Sequence, residues 1–166
     1  MFELKPLSKE AIPAAHRRAE RYRLLNEPAE AESICLDILQ SDPENQQALI
    51  TLLLALTDQF PDGHADTVQE AQRVLGRLSG EYERSYYAGI ICERRAKEQL
   101  NHHTPGSGYN AHDWLREAMS WYEKAERLRP AGNDEAILRW NTCARLIMRH
   151  PDLRPSQEER FEPFLE

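Results

Sequence analysis

The sequence predicts an all-α fold, and three observations predict it. Ala, Leu, Glu, Arg and Gln dominate the 166 residues, Gly and Pro gather at a few breaks, and no stretch sustains the alternation of a strand. With 40% hydrophobic residues, a chain of this length can bury a substantial core as one domain.

The breaks fall at Asn26-Glu27-Pro28, Ser41-Asp42-Pro43, 60–63, Ser79-Gly80, 101–110 and 129–133. Between them lie seven predicted helices, near 10–25, 28–40, 44–59, 64–78, 81–101, 111–128 and 134–149. Pro28 and Pro43 suit the first turn of a helix, where the missing N–H costs nothing. Asn133 before Asp134 and Glu135 offers a capping side chain and acids for the positive end of the helix dipole. The short connections force consecutive helices into antiparallel hairpins. The organisation is therefore a helical domain over 10–150 and a Pro-rich, acidic tail over 151–166, expected to lack a fixed fold until Phe161.

Charge and composition narrow the function classes. A net charge of -7 opposes binding to a phosphate backbone, which needs clustered Lys and Arg, so nucleic acid is not an expected partner. No run approaches the apolar length of a membrane span, so no membrane partner is expected either. The start Met1-Phe2-Glu3-Leu4-Lys5-Pro6 lacks the basic-then-apolar pattern of a secretion signal, which leaves the cytoplasm as the expected compartment. Cys35, Cys92 and Cys143 form no CxxC pair and sit in apolar helical patterns, which suits small buried hydrophobes better than a disulfide framework.

The residues offer little catalytic chemistry. His102, His103 and His112 are the only local histidine cluster, without helical i, i+4 spacing and without a cysteine or carboxylate at zinc-ligand spacing. Pro105-Gly106-Ser107-Gly108 lacks the lysine and flanking strand of a phosphate-binding loop and reads as a flexible connector. Cys92 and Cys143 could act as nucleophiles only beside a base that sequence cannot place. Pairs such as Glu123-Lys124 and Glu126-Arg127 read as solvated helix surface. Trp114, Trp121 and Trp140 are expected to stitch the C-terminal helices together, with Trp140→Ala costing about 3–5 kcal/mol if Trp140 is core. No catalytic residue, cofactor or metal is predicted.

Self-similarity is the strongest signal. Ala118, Tyr122, Ala125 and Pro130 recur at the same steps as Ala31, Cys35, Ile38 and Pro43, and more loosely as Ala71, Leu75 and Leu78. In the preceding helices, Ala19 and Tyr22, Gly89 and Cys92, and Trp140 and Cys143 hold matching places, with Leu53 and Leu56 departing from them. This pattern resembles the tetratricopeptide repeat (TPR), a helix pair in which small residues admit close packing, a bulky one plugs the neighbour and Pro ends the unit. The loop at 60–66 and an insertion at 98–111 depart from the motif's length.

The resemblance implies a right-handed α-α superhelix of about three helix pairs plus a C-terminal capping helix, with a concave groove lined by the first helix of each pair. It implies a non-enzymatic scaffold that holds a partner's peptide or amphipathic helix. Helical spacing then gives the groove residues as His16, Glu20 and Arg23; Ile50, Leu54 and Thr57; Tyr86, Ile90, Glu93 and Arg94; and Ile137, Asn141 and Arg145. Ile50, Leu54, Tyr86, Ile90 and Ile137 would form an apolar strip that another polypeptide should cover. Arg23, Arg94 and Arg145, with Asn141, are similar to a carboxylate clamp without its lysine and asparagine set, or else pair with Glu20 and Glu93. The alternative is a structural homodimer or permanent subunit whose groove takes its own tail, through Phe161, Phe164 and Leu165, or a second copy.

Overall fold

The structure, a computed structural model, describes residues 1–155. The expectation about Phe161, Phe164 and Leu165 lies outside them. Among the described residues there are seven α-helices and no strand: α1 (Ile12–Leu24), α2 (Pro28–Ser41), α3 (Gln46–Asp58), α4 (Ala65–Gly76), α5 (Glu81–His102), α6 (Ser107–Leu128) and α7 (Glu135–Arg149). None of these helices is long and apolar enough to cross a membrane. The chain divides into two compact units, 1–80 and the part from Glu81 onward.

The first unit holds α1 to α4, each packed on the next. Pro13 and Pro28 stand in the first turns of α1 and α2. Asn26 takes φ 58, a left-handed conformation that asparagine tolerates and that stops α1. The Asn45 side chain accepts the Ala48 N–H at 2.9 Å, which sets the start of α3 two residues later than Pro43 and Glu44 suggest. Ala19, Ala31, Cys35, Ile38, Leu53, Leu56, Ala71 and Leu78 are all buried. Leu75 is only half-buried, and Val74 takes the inward place beside it.

Two contacts fix the relation of α1 to α3. His16 Nε2 meets Thr51 Oγ1 at 2.9 Å, and Arg23 Nε donates to Asp58 Oδ2 at 2.8 Å, each pair 35 residues apart. Moving two turns along α1 thus moves two turns the same way along α3, so the helices lie side by side and parallel. Other polar contacts recur at similar separations. Ser41 Oγ donates to the Leu7 carbonyl, 34 residues away, and Arg77 donates to the Pro43 carbonyl, also 34 away.

The second unit holds α5, α6 and α7. The break at 101–110 is shorter than the sequence suggests. His103 at φ 47 and Gly106 at φ 84 turn the chain tightly, and α6 begins at Ser107. The flexible connector is therefore a helix start. A Cβ at Gly108 would run into the Asp152 carbonyl, so glycine here admits the segment that follows α7. Leu153 in that segment is 5% exposed, and its N–H donates to the His150 carbonyl at 3.0 Å. Packed structure thus continues past residue 150, where the sequence reading ended it.

Candidate functional site

In the first unit, the predicted groove residues His16 and Arg23 are occupied by α3. His16 also lies 3.6 Å from Glu20. The Arg23 guanidinium forks onto Asp58, at 2.8 and 3.4 Å, and not onto Glu20 as a solvated face would have it. Thr57 is buried, with its hydroxyl donating to the Leu54 carbonyl at 2.8 Å. Ile50 and Leu54 remain half-buried. The pair Arg23–Asp58 is mostly shielded, so a double-mutant cycle with Arg23→Ala and Asp58→Ala is expected to give a coupling of about 1 kcal/mol, the upper end for partly exposed pairs. A coupling near zero in urea unfolding would contradict the pairing.

The second unit is organised around Glu93, which is 0% exposed. Its carboxylate accepts from Lys97 Nζ at 2.9 Å, from Tyr122 Oη at 3.4 Å and from Cys143 Sγ at 3.4 Å, and it pairs with Arg139. One acid on α5 thereby ties α6 and α7 to its own helix. A buried carboxylate persists only with such a full set of donors. The sequence reading placed Glu93 in the groove. The available signal was its position, directly after the apolar run Ile90-Ile91-Cys92.

Around this centre the packing is close. The Tyr122 ring lies where a Gly89 Cβ would sit, 2.5 Å from its Cε1. Tyr86 joins the cluster, its ring centroid 5.9 Å from that of Tyr122 and 6.0 Å from that of Tyr82. Ile90 is 5% exposed, so it belongs to the core and not to an open apolar strip. Arg94 is half-buried, and Arg145 is exposed.

Burial also governs the thiols. It pushes Cys35 and Cys92 up to about 12 from an ordinary 9.0, and it raises Cys143 further with the help of the Glu93 charge. Native protein at pH 8 is thus expected to react with a thiol reagent far more slowly than protein in denaturant. An unfolded thiol ionises near pH 9.0 and a folded one only near 12, so this contribution to stability is intact below 9.0 and lost as pH rises toward 12. Rapid titration of all three cysteines without denaturant would contradict the burial.

Ile137 and Asn141 face a different way from Tyr86 and Ile90. On α7, Arg139 and Cys143 turn toward Glu93, whereas Ile137, Trp140 and Asn141 line a recess of about 300 Å³ together with Glu123 and Glu126 of α6. Within this unit the predicted groove residues are therefore split between a core and a separate hollow. Trp140 is half-buried, not core, and its indole N–H donates to Glu123 Oε1 at 3.1 Å. Trp114 and Trp121 are half-buried as well. Trp140→Ala should accordingly cost less than the value for a buried tryptophan.

A second hollow, of about 880 Å³, opens at the turn between α5 and α6, with His103, Tyr109, His150 and Arg154 in its wall. His102 instead pairs with Glu98 at 3.4 Å, and His112 lies 3.6 Å from Asp113. Among the described residues no group of three or more His, Cys, Asp or Glu is placed to hold a metal ion. No protein-family model, curated protein or solved structure matches the chain.

Proposed function

We propose that the chain is a TPR-like helical-repeat scaffold that binds another protein in the cytoplasm and has no catalytic centre. The observation that carries this reading is the parallel pairing of α1 with α3 through two polar contacts at one constant offset. Neighbouring first helices of successive hairpins lie this way in a right-handed repeat array, whose separation of 35 residues is close to the TPR period. The seating of Tyr122 over Gly89 supports it too, since a small residue under a bulky one is the packing that the repeat positions require. Buried free cysteines are in keeping with a reducing compartment.

A display selection of random peptides on the immobilised full chain tests the reading. Enriched peptides should bind saturably, one per chain, and perturb resonances of α1 and α3 or of α6 and α7. A selection that enriches nothing above background, repeated with helical peptides, would remove the binding-module reading.

A second reading, a structural homo-oligomer, is favoured by Leu138 and Met148, which are 58% and 76% exposed on α7. Light scattering at micromolar concentration separates the two. A stable dimer, lost on Leu138→Glu or Met148→Glu, supports self-assembly, and a monomer supports the scaffold.

A further inference from the structure

We propose that the recess between α6 and α7 receives a cationic side chain, an arginine or lysine that a partner protein presents beside an apolar residue. This rests on the reading of the chain as a binding module and names the chemistry of one contact.

The recess combines the parts that such a side chain requires. Glu123 and Glu126 supply two carboxylates one turn apart on α6, Trp140 an aromatic wall, Ile137 an apolar surface for the stem, and Asn141 a polar carboxamide. Its volume of about 300 Å³ suits one long side chain and not an extended ligand. The bond from Trp140 Nε1 to Glu123 Oε1 fixes the ring beside the acid, so both groups are oriented before anything binds. Preorganisation of this kind lowers the entropic cost of association.

The tryptophans of the same unit supply an independent argument. The Arg95 guanidinium lies over the Trp114 ring at 3.8 Å, and Lys124 Nζ over the Trp121 ring at 5.6 Å. Among the described residues, no cation lies over Trp140. Its ring lines the recess together with two acids, and an aromatic ring beside carboxylates favours a cation. The cation already near, Arg129, does not neutralise the site. It is 3.7 Å from Glu126 and 3.2 Å from Asp134, so two carboxylates share its one guanidinium and Glu123 adds a further negative charge to the recess. An anionic partner terminus, as a carboxylate clamp would hold, meets repulsion here. The net charge of -7 also steers basic partners toward the chain.

The test uses the full chain labelled with ¹⁵N and a synthetic pentapeptide, acetyl-Ala-Leu-Arg-Leu-Ala-amide. Its counterpart carries citrulline, which has the shape of arginine without the charge. The Trp140 indole N–H resonance, assigned by its loss in Trp140→Phe, is followed during titration. The arginine peptide should shift it saturably, at least tenfold more tightly than the citrulline peptide, with affinity falling as salt rises. Glu123→Gln with Glu126→Gln should abolish the difference between the peptides while leaving the remaining spectrum in place. Equal response to both peptides, or no response of Trp140 to the arginine peptide, overturns the proposal. Should display selection on the same protein still yield binders without a basic anchor, the scaffold reading survives and only the cation recess falls.

Discussion

Glu93→Ala is expected to destabilise the second unit by about 3 kcal/mol, the low end of what removing one partner from a buried ion pair costs. Four groups lose their acceptor at once: Lys97, Arg139, the Tyr122 hydroxyl and the Cys143 thiol. The low end applies because Lys97 is 40% and Arg139 28% exposed, so both cations can recover some hydration by turning outward. Trp114, Trp121 and Trp140 all lie beyond residue 80, so urea unfolding followed by tryptophan fluorescence reports on this unit alone. The decisive comparison is the paired replacement Glu93→Met with Arg139→Met. Removing both charges should recover most of the loss, since an apolar pair of similar size is often neutral or better in a core. If the single and paired variants are equally unstable, Glu93 matters through its packing and not through its charge.

Gly89→Ala is the second large effect, and its sign runs against helix propensity. In an exposed helix interior, alanine is better than glycine by about 1 kcal/mol. Here the new methyl group would lie 2.5 Å from the Tyr122 ring, and that ring is fully buried with no room to retreat. Overpacking of this kind costs about 1–3 kcal/mol, so net destabilisation is expected. In a Tyr122→Ala background the obstruction is gone, and Gly89→Ala should become neutral or stabilising. A substitution that stabilises both backgrounds alike would show that α5 and α6 approach less closely than described.

Much of this fold was legible in the sequence because helix breaks are local chemistry. Pro28, Asn26 and Asn133 act on their own backbone, and the seven segments they bound emerged close to their observed ends. The repeat positions Ala31, Cys35, Ala118 and Tyr122 were legible as core for a related reason, since helical spacing alone puts them on one face. The start of α6 was missed because Gly106 and Gly108 read as flexibility. One is a left-handed turn residue and the other makes room for Asp152. Both demands come from three-dimensional neighbours.

The candidate site was less legible. Which side of α7 meets α5 depends on the rotation of a whole helix, and an error of two positions exchanges Ile137 and Asn141 for Arg139 and Cys143. Tertiary pairing likewise decided Glu93, whose partners lie 29, 46 and 50 residues away as well as one turn along its own helix. Arg23 is satisfied by Asp58, and the recess between α6 and α7 is lined by acids.

The two rungs between α1 and α3 also constrain how this chain can change in length. His16 and Arg23 are seven residues apart, as are Thr51 and Asp58. One residue inserted between Thr51 and Asp58 would swing the carboxylate about 100° around its helix and sever one rung while the other held. The same insertion placed in α1 as well would restore the match. Indels in these two helices are therefore tolerable only in concert.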